Sequence, residues 1–128
     1  MKVVLAALLL LGCATSRIPA ALRGYDVVVE GKDEESVELA RALQAYGVPV
    51  RRQLRGGSGP TAALIHFTFG LPGQHAPTFF HVRLADTRSG VIVRAGTIAL
   101  DSTATTIRAR ASAAVRALMA GDSALPNP

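Results

Sequence analysis

Three histidines are the side chains of this chain best suited to acid–base or metal chemistry. His66 and His81 each fall within a segment that alternates like a β-strand, and His75 lies in the loop between them. A protein zinc site has roughly three or four ligands, with a carboxylate or thiolate commonly among them. No such ligand is close in sequence, although Asp86 could approach in the fold. The pattern favours two histidines on an open sheet face and no metal, with a small-ligand or metal site at His66 and His81 as the alternative.

Motifs for nucleophilic catalysis and phosphate binding are missing from the glycine-rich loop. Gly57-Ser58-Gly59 lacks the Gly-x-Ser-x-Gly spacing of a nucleophile elbow and the Gly-Lys-Ser/Thr ending of a phosphate-binding loop. The acids between Asp33 and Glu38 are better explained as the solvated start of a helix than as paired acid–base catalysts. The sequence therefore predicts a protein that is not an enzyme and that has no catalytic residue and no cofactor.

Basic residues greatly outnumber acidic ones from Arg51 onward. The net charge is +5, and from Arg51 to Arg116 nine arginines stand against only Asp86 and Asp101. A basic face can bind anionic lipid headgroups, peptidoglycan or an acidic protein, and an ordinary solvated surface has the same composition. The candidate partner surface combines an arginine segment with side chains expected on the open sheet face: Arg51, Arg52, Arg55, His66, His81, Arg83 and Arg94.

Hydrophobic periodicity predicts the elements that position these side chains. Thr61 to Phe69 and Thr78 to Ala85 alternate with the period of a strand, and Val91 to Leu100 returns after a tight turn. Residues 78–100 therefore predict a β-hairpin. The expected fold is α+β, with a mostly antiparallel sheet of four to five strands and two helices packed on one face, in the order β-α-β-β-β-β-α.

Two further strands are short. The β-branched segment from Tyr25 to Glu30 predicts a first strand. Val48 to Leu54 predicts a short edge strand, a position where Pro49 is tolerated.

The aromatic side chains are assigned to the core rather than to a ligand platform: Phe67, Phe69 and Phe80.

Capping residues mark the ends of both predicted helices. Asp33 fits the N-cap of the first helix, and Gly47 fits the left-handed position just after its end. One of the three residues 101–103 (Asp-Ser-Thr) is expected to cap the final helix, which ends at Gly121. Both helices therefore have defined boundaries in the sequence.

The first thirteen residues have the parts of an export signal. Lys2 supplies a positive charge, and the apolar run from Val3 to Leu11 is shorter than the about 20 residues of a membrane-spanning helix. The segment Leu10-Leu11-Gly12-Cys13 resembles the lipobox of bacterial lipoproteins. That resemblance implies cleavage between Gly12 and Cys13, followed by lipidation of the Cys13 sulfur and acylation of the new amino group.

The lipobox resemblance also implies a domain organisation and a location. Residues 1–12 would be the signal peptide, 13–24 the lipidated cysteine and tether, 25–121 one α+β domain, and 122–128 a disordered tail. Ala14 stands where an aspartate would suggest inner-membrane retention in enteric-type sorting, which favours the outer membrane with the domain facing the periplasm. The periplasmic leaflet of the inner membrane and the cell surface remain alternatives.

Lipidation of Cys13 would consume the only thiol of the chain. Disulfides, thiolate metal sites and cysteine-based catalysis are then excluded. The lipid makes the membrane itself a partner, whereas nucleic acid is not expected as a partner of an exported, anchored chain.

The hairpin segment carries a second resemblance. Phe80-His81-Val82-Arg83-Leu84-Ala85-Asp86-Thr87-Arg88-Ser89-Gly90-Val91-Ile92-Val93 runs from a strand into an aspartate, through a turn, and back along a second strand. With the lipobox and the order of elements, this is similar to small envelope lipoproteins with the α/β domain of the curli-secretion lipoprotein and the penicillin-binding-protein activators. The chain lacks the long insertions that build a secretion pore. The resemblance implies a non-enzymatic accessory or interaction role, with an envelope protein as partner.

Overall fold

The structure is a computed structural model that describes residues 18–54, 59–73, 75–100 and 105–121. The predictions on the lipobox, the Gly12–Cys13 cleavage site, the lipidation of Cys13, Arg55 and the tail from 122 to 128 fall outside the described residues. Within the expected tether, Ala20–Leu22 form a 3-10 helix whose Leu22 is buried in the core. The part of the chain that packs on the domain therefore begins before residue 25.

Five strands and two helices follow this 3-10 helix. The strands are β1 (Asp26–Val28), β2 (Val50–Arg51), β3 (Thr61–Gly70), β4 (Thr78–Asp86) and β5 (Ile92–Ala99). The helices are α1 (Glu34–Ala45), between β1 and β2, and α2 (Ile107–Ala120), after β5. No helix within the described ranges is long and apolar enough to cross a membrane.

The strands form one mixed sheet in the order β2-β1-β3-β4-β5. β3, β4 and β5 pair antiparallel, whereas β1 pairs parallel with both β2 and β3. The predicted α+β class, the two helices and the hairpin over residues 78–100 are confirmed. The prediction of a mostly antiparallel sheet is confirmed only in part. The sheet is mixed, because helix α1 forms a crossover after which β2 runs parallel to β1.

Helix α1 begins and ends where the sequence predicts. The Asp33 carboxylate accepts a hydrogen bond from the Ser36 backbone N–H at 3.1 Å, as an N-cap does. Gly47 has φ +88°, the left-handed conformation that terminates helices. Leu39 and Leu43 lie fully buried on the inner face of the helix.

Helix α2 starts later than the sequence predicts. Its N-cap is Thr106, whose hydroxyl accepts a hydrogen bond from the Ala109 N–H at 3.0 Å. The prediction of a cap at residues 101–103 is wrong, because the helix itself begins only at Ile107. The predicted end is confirmed: Gly121 takes the left-handed conformation with φ +70°.

The core lies between the helices and one side of the sheet. Phe80, Val82 and Leu84 project from β4 into the cluster that contains the buried side chains of both helices: Leu39, Ala40, Leu43, Ala111, Ala114, Val115, Leu118 and Met119. Close packing of α2 on β5 depends on Gly96, since a Cβ there would lie 2.4 Å from the backbone nitrogen of Leu118. The opposite side of the sheet has no helix packed on it in the described structure, and this asymmetry defines the candidate site.

Candidate functional site

The sheet register divides the predicted partner surface between two faces. His66 pairs with Val82, and Arg94 pairs with Leu84, so both point toward the helices. His81 pairs with Phe67 and projects from the other side, together with Arg83. The placement of His66 and Arg94 on the open face is therefore wrong, and so is a ligand or metal site shared by His66 and His81.

The face opposite the helices, called the open face below, is largely apolar. Ile65, Phe67 and Ile92 are 42%, 37% and 42% exposed. Half-buried Phe69 and Phe79 stack on each other across β3 and β4 with ring centroids 5.3 Å apart. The remaining members from the three long strands are small or polar: Thr61, Ala63, His81, Arg83, Ala85, Ala95, Thr97 and Ala99.

The structure corrects the assignment of two aromatic residues. Phe80 is a core residue as expected, but Phe67 and Phe69 lie on the open face. Their misassignment has a physical reason: both faces of β3 are apolar, because Ala62 and Leu64 alternate with Ile65 and Phe67. An alternating pattern shows which side chains share a face, but it does not show which face the helices cover.

A histidine and an arginine form the polar centre of the open face. His81 is only 2% exposed, and its Nδ1 lies 2.7 Å from the Thr97 hydroxyl. Its ring lies 5.0 Å from that of Phe67, and the Arg83 guanidinium stands 5.1 Å over the same Phe67 ring. The Nε of Arg83 is buried without a hydrogen-bond partner. The face therefore presents a cation on an aromatic surface with one donor unsatisfied.

Burial gives His81 a pH-dependent effect on stability. Desolvation lowers its pKa below the ordinary 6.5, and the positive charge of Arg83 lowers it further. The unfolded chain therefore binds this proton at a higher pH than the folded protein does. We expect the free energy of unfolding to fall as the pH drops below 6.5, and His81→Gln to remove that part of the decrease. Urea titrations at several pH values measure this.

The control for the His81 substitution is His75→Gln in the exposed loop between β3 and β4. That variant should keep the acid-side decrease of the parent. An unchanged pH profile in His81→Gln would contradict the role assigned to burial.

The arginine segment at the β2 edge is tied into the fold. Arg51 forms an ion pair with Asp26 at 3.4 Å. Arg52 donates to the carbonyl oxygens of Gly31 and, at 3.4 Å, of Ser36. These contacts connect β2 to β1 and to the start of α1. The side chains of both arginines are therefore engaged within the fold itself.

A second polar cluster joins His66 to the start of α1. The Ser36 hydroxyl donates to Asp33 Oδ1 at 2.7 Å and lies 3.1 Å from His66 Nε2. Asp33 Oδ2 lies 3.9 Å from the same ring nitrogen. The hydrogen bonds from the Ser36 hydroxyl and backbone N–H lower the pKa of Asp33. The cluster borders an open pocket of about 320 Å³.

The Asp33–Ser36–His66 arrangement differs from that of a hydrolytic triad. In a triad the histidine bonds to the serine through one ring nitrogen and to the carboxylate through the other. Here the Ser36 hydroxyl donates its hydrogen bond to Asp33. No carboxylate of the described residues forms a hydrogen bond with the second ring nitrogen of His66. A Cβ on Gly31 would lie 2.2 Å from the Ser36 hydroxyl, so the cluster also needs a glycine there. The sequence did not predict it, because residues 33 and 66 meet only through tertiary packing.

Asp86, the carboxylate expected to approach the histidines, is engaged at the turn of the hairpin. It accepts the Tyr25 hydroxyl at 2.7 Å and the backbone N–H groups of Arg88 and Ser89 at 2.8 and 3.1 Å. The hydrogen bond from Tyr25 makes the largest contribution to lowering the pKa of Asp86. Within the described ranges no group of three or more histidine, cysteine, aspartate or glutamate side chains is placed to hold a metal ion.

Arg94 closes the C-terminal end of α2. Its Nε and Nη2 donate to the carbonyl oxygens of Leu118 and Met119 at 2.9 and 2.5 Å. These carbonyls lie in the last turn of the helix, where few backbone donors remain, and the Gly121 N–H also donates to the Leu118 carbonyl at 3.2 Å. We expect Arg94→Met to lower the free energy of unfolding by about 2 kcal/mol, the usual contribution of hydrogen bonds from a charged group. Urea unfolding measures the change.

Arg41→Met is the matched control for Arg94. Arg41 is exposed on α1 and makes an ion pair with Glu38 one turn earlier, at 3.2 Å. Such pairs contribute only about 0.3 kcal/mol. Equal effects of the two substitutions would exclude a special role for Arg94 at the helix end.

Comparison of the chain with protein families, with curated proteins and with solved structures gave no match.

Proposed function

We propose that this protein is a lipid-anchored, non-enzymatic component of the bacterial cell envelope that works by binding through its open face. Cys13 would carry the lipid after cleavage at Gly12, and the domain would face the periplasm from the outer membrane. The membrane and an envelope protein are the proposed partners. No cofactor is part of the proposal.

The observation that carries this proposal is the one-sided cover of the sheet. Both helices pack on one face, while the other face exposes Ile65, Phe67 and Ile92. Contiguous exposed apolar surface on a small protein commonly marks a site that binds a protein or a membrane. Such a surface supports binding rather than chemistry, because its histidine is buried and hydrogen-bonded to Thr97.

The anchor is tested by metabolic labelling with a fatty-acid analogue. The parent chain should incorporate the label, and Cys13→Ser should not. Mass spectrometry of the purified protein should then find residues 1–12 absent and the new N-terminal cysteine acylated. A product that retains Met1 and a free thiol would refute the anchor.

The binding surface is tested with a photo-crosslinking amino acid in intact cells. Placed at Ile65 on the open face, it should form an adduct with a defined envelope component, either a protein or a phospholipid. Placed at exposed Arg41 on α1, it should not. The same adducts from both positions, or none from Ile65, would refute a binding role for the open face.

A further inference from the structure

We propose that the open face lies against the anionic phospholipid headgroups of the membrane that holds the anchor. This inference rests on the proposed function, because it names the partner of the same surface. The occupant is a lipid surface, and occupation of the open face by a protein would overturn the inference.

The open face carries a continuous apolar surface. Ile65 and Phe67 are neighbours on the same side of β3. The stacked pair of Phe69 and Phe79 continues the apolar surface toward the loop that joins β3 to β4. The Phe67 and Phe69 rings are 6.1 Å apart, so the aromatic surface is continuous. Phenylalanine and aliphatic side chains of this kind enter the boundary between headgroups and acyl chains.

The open face also carries an excess positive charge. Within the five strands, the open face carries Arg51, Arg83 and one carboxylate, Asp26, according to the register. Asp26 is paired with Arg51 at the β2 edge, so the excess charge is that of Arg83. Arg83 as a whole is only partly buried, and a lipid phosphate supplies the negative charge that its guanidinium lacks on this face.

The connection between the domain and the proposed lipid is short. Only the five residues 13–17 separate the start of the processed chain from Ile18, the first described residue. At about 3.5 Å per residue these reach at most about 18 Å. The anchor therefore keeps the domain beside the bilayer, where a tethered surface experiences a high effective concentration of its partner. Because Ile18 and Leu22 pack on the core at the helix side of the sheet, the tether sets only the distance to the membrane, and the apolar side chains and Arg83 select the open face. A surface that would bind the membrane only weakly on its own therefore docks more readily when it is tethered.

The absence of tryptophan from the chain allows a direct test. Single-tryptophan variants Phe67→Trp and Ile65→Trp place a reporter on the open face, and Val37→Trp places one on the exposed side of α1. The lipidated proteins are reconstituted into vesicles of phosphatidylglycerol and phosphatidylethanolamine with brominated acyl chains. Bromine quenches tryptophan fluorescence only at short range. We expect both open-face reporters to be quenched several-fold more strongly than the α1 reporter.

The contribution of charge is tested by adding Arg83→Gln to the Phe67→Trp variant. On the anionic vesicles the ratio of docked to undocked protein should fall about fivefold, the effect of one cation near an anionic surface. On brominated phosphatidylcholine vesicles the same substitution should change little. Equal quenching from all three reporter positions would overturn the inference, and thermal melts of each variant establish that the comparison is between folded proteins.

The outcomes distinguish the inference from the proposed function. If the open-face reporters are not quenched and the crosslinker at Ile65 captures one protein in cells, the face is a protein interface and only the inference is wrong. If they are not quenched and Ile65 captures nothing, both are wrong. A purified product without lipid would show that the anchor has failed before any fluorescence is measured.

Discussion

Gly96→Ala is expected to lower the free energy of unfolding by about 3 kcal/mol, at the upper end of the usual range for overpacking. The new Cβ would lie 2.4 Å from the Leu118 nitrogen and 2.7 Å from the Ala117 carbonyl carbon. Both are backbone atoms of α2, which have no rotamer to change. The helix must therefore move away from β5, and the packing of its buried side chains on β4 would be lost with it.

The measurement for Gly96→Ala is thermal and urea unfolding against the parent. For a domain of this size, a loss of about 3 kcal/mol corresponds to a melting temperature lower by roughly 10–20 °C. Gly70→Ala, at the end of β3, is the control, because a Cβ there has no atom within 4 Å. That variant should change the free energy of unfolding by no more than about 0.5 kcal/mol. Parallel behaviour of the two variants would mean that α2 does not lie against β5 as described.

Gly96 also illustrates which parts of the fold could be predicted from the sequence. The local features were predictable: the Asp33 cap, the left-handed Gly47 and the hairpin over residues 78–100 each depend on neighbouring residues. A glycine inside a strand pattern signals a close approach of backbone, but not the element that approaches. The parallel pairing of β1 with β3 was not predicted for a related reason, since it depends on which strand comes to lie beside β1 in the folded sheet.

The candidate site was predictable only in part, because its residues are defined by faces. Alternation along β4 correctly separated Phe80, Val82 and Leu84 from Phe79, His81 and Arg83. Alternation does not show that the two helices cover only the face that contains Phe80, Val82 and Leu84. His66 was assigned to the wrong face because both faces of β3 read alike, and its contact with Ser36 depends on residues 30 positions apart.

Phe80→Ala and Phe79→Ala form a matched pair that tests this division between the two faces. The two phenylalanines are adjacent on β4, yet Phe80 is fully buried under the helices and Phe79 stacks on Phe69 on the open face. We expect Phe80→Ala to lower the free energy of unfolding by about 3–5 kcal/mol, since it leaves a cavity in the core. Phe79→Ala should lower it by only about 1 kcal/mol, the value of an aromatic pair and some partial burial. Urea unfolding of both variants gives the two values directly.

The same pair separates stability from docking. Phe79→Ala removes part of the apolar open face and should reduce the lipid quenching of the Phe67→Trp reporter, although its fold is nearly unaffected. Phe80→Ala should leave that quenching unchanged under conditions where the variant is still folded, because the side chain it removes never reaches the face. The reverse ranking in either measurement would mean that the helices and the membrane do not occupy opposite sides of this sheet. Two adjacent residues of the same type thus test both the packing of the core and the proposed role of the surface behind it.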